Sequence, residues 1–215
     1  QFASVFGRKD KVIQLDCRTH EYKYFEIDMS NHIIALVDTK VKHNLASSEY
    51  NKRRQECEEG VILLSSKYYK IKALRDAGIG ELNKVRSVMS PAVYKRCNYV
   101  VAENHRVIDS CKALEQSDFT KFGEYMYQTH EGLRDEYEVS CKELDILVEA
   151  TLDMEYVLGS RMMGGGFGGC TINFITAGYE DVFKKNITSI YTNETGIIPE
   201  VYFVKLSDGV RIINQ

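Results

Sequence analysis

The stretch Gly159–Cys170 reads GSRMMGGGFGGC and places six of the chain's fifteen glycines within twelve residues. Backbone without side chains is costly to order, so a run this bare implies a body that comes close to it. Gly164, Gly166 and Gly169 have G-x-G-x-x-G spacing, and Gly164 with Gly169 also has that of a Walker loop. Neither phosphate loop is complete. The dinucleotide fingerprint runs strand, loop, helix, whereas the apolar spacing before these glycines reads as a helix and CTINFIT after them as a strand. Cys170-Thr171 stands where the Walker loop needs Lys followed by Ser or Thr. Two readings remain open: a glycine-lined turn packed against a neighbouring element, or backbone presented to a ligand. Cys170 has no histidine near it in sequence to activate it as a nucleophile.

Working outward, the helix before the glycines is expected over about Cys141–Leu158, with Leu144, Leu147, Val148 and Leu152 facing inward and Gly159 ending it. After CTINFIT a helix over Tyr179–Tyr191 and a closing strand, PEVYFVKL, are expected. Ser90-Pro91 marks a helix start, because proline fits the first helical position. Val93, Cys97, Val100, Val107, Cys111 and Leu114 give that helix one apolar face. Asp118 can cap the next helix, expected through Tyr127. Earlier, Ser47 or Ser48 can cap a helix carrying Tyr50, Cys57, Val61, Leu64 and Tyr68, with Glu49 and Arg53 as a favourable (i, i+4) pair. The run Lys52-Arg53-Arg54 reads as a solvated face beside Glu56, Glu58 and Glu59. Gly78 and Gly80 mark a break. At the front, KVIQLD and YKYFEID read as strands around a polar CRTHE turn, and HIIALVD as a buried strand.

The expected fold class is α+β, with antiparallel strands packed against helices in one unit over 1–215. Residues 1–40 are mainly strands, 41–160 mainly helical, and 170–206 strand, helix, strand.

Hydrophobic content of 44%, charged content of 27% and a net charge of -3 suit an ordinary globular protein and argue against a nucleic-acid partner. No apolar run approaches the roughly 20 residues of a membrane helix. The N-terminus lacks a signal-peptide pattern, and without a Met it leaves room for a longer parent. Six dispersed cysteines without a C-x-x-C pair favour reduced thiols and a cytoplasmic location. Five histidines with no H-x-x-x-H pair give no zinc pattern.

GSRMMGGGFGGC is similar to the third motif of the GHMP sugar and metabolite kinases, in the form typical of galactokinases. Val37–Val61, VDTKVKHNLASSEYNKRRQECEEGV, resembles their stretch joining a buried strand to the first helix of the C-terminal region. VVAENHRV, LRDEYEVSCKELDILVEA and the opening QFASVFG add to the likeness, which spans essentially the whole chain in register. The chain resembles the C-terminal half of such a kinase, and the resemblance implies a GHMP-kinase C-terminal domain.

It also implies the parent's reaction: transfer of the ATP γ-phosphoryl group to the C1 hydroxyl of α-D-galactose, with Mg²⁺. ATP and Mg²⁺ would be held mainly by the N-terminal half of the same protein. The catalytic aspartate would lie just before the position of Gln1 and the phosphate loop further upstream. No catalytic or metal-binding residue is therefore expected in this chain, and alone it should be inactive. Tyr50 matches a tyrosine whose hydroxyl contacts the sugar; its spacing also allows the first core position of its helix, and one side chain can serve both roles. Gly164, Gly165 and Gly166 match the part of the motif beside the substrate and phosphate loop.

Met163 departs from the family, which usually carries Thr there, so a hydroxyl gives way to a flexible apolar chain. Arg161 can meet a phosphate, but a contact with neighbouring carbonyls or carboxylates is the favoured reading. Alternative readings are a related kinase acting on N-acetylgalactosamine or arabinose, a galactose- and ATP-binding sensor without turnover, and a structural or interaction domain.

Overall fold

A computed structural model describes residues 2–42 and 46–210. Gln1, beside which the resemblance puts the catalytic aspartate, lies outside the described residues. A short helix, α1 (Phe2–Phe6), not anticipated from the sequence, precedes the hairpin of β1 (Lys11–Leu15) and β2 (Tyr22–Glu26). The polar segment between those strands is a turn in which the Asp16 carboxylate accepts the amides of Arg18 and Thr19. Reciprocal Arg18–Asp76 and Arg75–Asp16 pairs tie this turn to the helical region.

The main sheet is antiparallel, in the order β4 (Val157–Met162), β5 (Gly168–Thr176), β3 (His32–Lys42), β6 (Glu200–Val204). Its central strand β3 is apolar on both faces, as a strand covered on both sides must be. Ala35 and Val37 pack with Phe183, Ile187 and Tyr191 of α7 (Glu180–Thr195) and with Leu147 of α6 (Lys142–Glu149). Ile34, Ile172 and Phe174 instead meet Met126 and Phe122 of α5 (Phe119–Asp135), Leu114 of α4 (Pro91–Glu115) and Phe25. A separate helical core forms where α2 (Ala46–Lys67), α3 (Ile79–Val85) and α4 enclose Leu64, Leu82, Val93 and Cys97.

Ser90 caps α4, its hydroxyl accepting the Val93 amide at 3.2 Å, and Asp118 caps α5 by accepting that of Lys121 at 2.9 Å. Gly196 closes α7 in the left-handed conformation. Several expected boundaries change. Helix α2 starts at Ala46, ahead of both serines offered as caps, and the Ser47 side chain lies outside the described residues. Helix α5 continues beyond Tyr127 to Asp135 because Thr129 and His130, though polar, are buried and satisfied by Glu103 and Asp145. Val107, assigned to the apolar face of α4, is exposed.

The largest correction concerns the segment before the glycines. Helix α6 stops at Glu149, where the Thr151 hydroxyl takes the Val148 carbonyl at 2.6 Å and two successive turns lead into β4. Leu152 faces solvent rather than the core. Gly159 is a buried strand residue, not a helix end. A Cβ on Gly159 would lie 2.5 Å from the Gly123 Cα, so this strand position crosses α5 backbone to backbone.

Candidate functional site

The glycine-rich stretch is therefore the tip of the β4–β5 hairpin, closed by the Met163 amide donating to the Cys170 carbonyl at 3.0 Å. Gly164, Gly166 and Gly169 have φ of +81°, +85° and +85°, and Phe167 sits at +57°. A side chain in that region costs roughly 1–2 kcal/mol. The tip has two unlike sides. A Cβ at Gly164, Gly165 or Gly169 would meet nothing within 4 Å among the described residues. A Cβ at Gly166 would overlap the Val139 carbonyl and lie 3.1 Å from Met162 Cε. The Phe167 amide donates to that same Val139 carbonyl at 2.8 Å.

Val139 belongs to a connector between α5 and α6 that forms the bed of the tip, with Val139, Leu144 and Met162 buried together beneath Phe167. The fully buried His130 supports the strand side. Its Nδ1 accepts the Met162 amide at 3.2 Å, which leaves the proton on Nε2 to be donated to Asp145 at 3.1 Å. Ser140 donates to the same carboxylate oxygen at 2.6 Å. Since that hydroxyl points at the carboxylate rather than at the imidazole, the group orients the hairpin and makes no activated nucleophile.

On the other side of the connector lies Arg53, assigned from its charge run to a solvated face. It is 5% exposed. Its Nε donates to the Tyr137 carbonyl at 2.6 Å and its Nη2 to that of Glu138 at 2.9 Å. The expected Glu49–Arg53 pair is present at 3.3 Å. Arg96 of α4, also buried, donates to the Glu136 carbonyl, to Glu138 at 2.6 Å and to Glu56 at 3.0 Å. Arg96 holds Glu138 ionised, keeping its carboxyl below the ordinary range. Neither arginine stood out in the sequence, because the main-chain carbonyls that each binds lie on a segment at least 40 positions away.

Tyr50 lies one turn before Arg53 on α2 and is 56% exposed, so the core reading of its ring does not hold. Burial pushes the Tyr137 phenol well up, with the neighbouring Cys57 and Tyr50 adding to the shift. Tyr50 thus stands exposed on α2, one helical turn from the arginine that holds the connector. Arg161 donates to the Met162 carbonyl at 3.4 Å. Met163 is exposed at the tip. Burial and the nearby Asp38 raise the Cys170 thiol, which disfavours the thiolate. Among the described residues no group of three or more His, Cys, Asp or Glu side chains could hold a metal ion. No helix among them is long and apolar enough to cross a membrane.

Residues 111–185 match the family model described as GHMP kinases C terminal. The sheet covered on both faces by helices, with a glycine hairpin at its edge, has the fold of the GHMP-kinase C-terminal domain. The galactokinase of Clostridium acetobutylicum is 39% identical over 215 residues, all of this chain and 55% of that protein. That of Thermotoga petrophila is 41% identical over 213 residues, 99% of this chain and 58% of that one. The crystal structure of Lactococcus lactis galactokinase complexed with galactose superposes with a TM-score of 0.91 at 31% identity, covering 97% of this chain and 54% of that one. Over its whole length the chain matches the C-terminal half of these galactokinases. It spans a little over half the length of these relatives.

Proposed function

We propose that residues 1–215 form the C-terminal region of a galactokinase that transfers the γ-phosphoryl group of ATP to the C1 hydroxyl of α-D-galactose. The observation that carries this reading is the superposition of nearly the whole chain on a galactose-bound galactokinase. Phosphoryl transfer depends mainly on positioning and on stabilising charge on the transferring group. In this reading the exposed Tyr50 hydroxyl hydrogen-bonds the sugar. The backbone of Gly164–Gly166, open at Gly164 and Gly165, lies against substrate and phosphate loop, with its amides toward the developing charge. The base or orienting aspartate and most ATP contacts come from the rest of the parent. Mg²⁺, which would neutralise phosphate charge, finds no ligand cluster among the described residues and is assigned to the rest of the parent as well. Six dispersed cysteines without a C-x-x-C pair suit a reducing compartment, which supports a cytoplasmic location for the parent.

The test is ADP release by the parent and by this chain alone, with ATP, Mg²⁺ and galactose, N-acetylgalactosamine or arabinose. Galactose-dependent turnover on the order of 1–100 per second is expected of the parent and none of the chain alone. A parent that ignores galactose would overturn the galactokinase reading. Turnover by the chain alone would overturn the assignment of the catalytic group outside it.

A further inference from the structure

We propose that Arg53 is a positioning residue: its buried guanidinium clamps the α5–α6 connector and thereby sets the glycine tip against the substrate phosphates. The clamp rests on the reading of the tip given above. Taking a guanidinium out of water costs several kcal/mol unless its donors are used well. Here Nε and Nη2 are spent on two consecutive carbonyls, those of Tyr137 and Glu138, while Nη1 makes no hydrogen bond among the described residues and is compensated by the Glu49 and Glu56 carboxylates at 3.3 and 3.6 Å. Arg96, from a different helix, takes the carbonyl immediately before them, that of Glu136. Three successive carbonyls are thus fixed by two buried arginines, and the fourth, that of Val139, accepts the Phe167 amide and walls off Gly166. No residue of slack separates clamp from tip.

Backbone strain lies on both sides of this contact. Glu138 has φ of +53° and Phe167 of +57°, conformations that persist only where surrounding contacts over-determine them. Glu138 is also the residue that both arginines hold, Arg53 by its carbonyl and Arg96 by its carboxylate. A lysine would keep the charge, but one ammonium on a flexible stem does not reproduce the planar fork across two carbonyls. Arg53 and Tyr50 are three residues apart on α2, so a single helix turn links the sugar-facing phenol to the support of the phosphate-facing tip. Reaction rates are sensitive to such spacing: a misplacement of about 1 Å can cost roughly 100-fold.

The experiment compares Arg53→Lys and Arg53→Met in the full-length parent. Amide exchange at Phe167 is read as a ratio to exchange at Val93–Val101 of α4 in the same sample. The ratio is expected to rise at least tenfold in both variants. An unchanged ratio overturns the clamp, including the case where tip and core loosen together because the variant is merely unstable. Kinetics supply the second readout: kcat should fall at least tenfold while the galactose KM stays within about twofold. Because Arg53 and Gly166 act through one connector, Arg53→Lys combined with Gly166→Ala should be no more than about twofold worse than the poorer single variant. Multiplicative losses in the double variant would overturn the shared route. If the parent has no galactose-dependent activity at all, the functional reading falls and the exchange ratio alone decides the clamp.

Discussion

Two populations of glycine share the β4–β5 hairpin and its support. Gly123, Gly159 and Gly166 are required from within the chain, since a Cβ on any of them would run into main-chain atoms of another segment. Gly164, Gly165 and Gly169 face open space. For Gly164 and Gly169 the positive φ is a sufficient internal reason. Gly165 has neither a crowded neighbour nor a left-handed backbone. Glycine there costs chain entropy with no return among the described residues, as expected if a ligand approaches the tip. Packing and ligand approach are therefore not rival accounts of one loop. They divide it residue by residue.

The comparison breaks most visibly at the helix–strand crossing. Gly123→Ala would place a methyl on the Leu158 carbonyl, and neither backbone can retreat without moving α5 off the sheet. Overpacking of this kind sits at the upper end of its usual cost, about 3 kcal/mol. In the parent, a loss of roughly 6–12 °C in Tm or insoluble protein is expected, with normal kcat/KM per folded molecule. Gly166→Ala comes next and should damage both properties. It combines a φ of +85° with overlap on the Val139 carbonyl. A stability loss of about 2 kcal/mol and a fall in kcat/KM of at least tenfold are expected from thermal unfolding and kinetics on one preparation. Full activity per folded molecule would reduce Gly166 to packing alone.

What could be read from the sequence follows the same division. Local chemistry was legible: the Ser90-Pro91 and Asp118 caps, the β1–β2 turn, strand CTINFIT and the helix after it all depend on residues within a few positions. Contacts between distant segments were not. The spacing of Leu144, Leu147, Val148 and Leu152 continued a helical pattern into a region where Thr151 ends the helix and β4 begins. Gly159 looked like a helix end because its partner, Gly123, lies 36 positions away. Arg53 looked solvated because a buried arginine among glutamates reads like an exposed one, and its two carbonyl partners lie 84 and 85 positions on. The site residues Tyr50 and Gly164–Gly166 came from family resemblance. Periodicity alone pointed Tyr50 to the core, and the structure leaves it exposed.

Gly165→Val sharpens the comparison, because the structure predicts no internal penalty. A Cβ at this position meets no described atom within 4 Å, which leaves room for a branched side chain, so Tm should stay within about 1 °C of the parent value. If the tip closes against substrate and phosphate loop, kcat/KM should nevertheless fall by more than tenfold, about 1.4 kcal/mol of transition-state stabilisation. An active, stable variant would leave the open side of the tip without a ligand.

Tyr50→Phe is expected to have the smallest effect, and it tests the other exposed element of the site. At 56% exposure the phenol contributes little to folding, and Tm should not move measurably. If its hydroxyl meets the sugar, removing it forfeits a hydrogen bond worth about 0.5–1.5 kcal/mol. That converts to roughly a twofold to tenfold rise in galactose KM. The ATP KM should stay nearly fixed if the nucleotide is held elsewhere in the parent. A rise in both constants would place Tyr50 in domain closure, since a closure defect weakens both substrates together. An unchanged galactose KM in a folded variant would remove Tyr50 from the sugar site. The glycine tip would then be the remaining part of this half proposed to meet substrate.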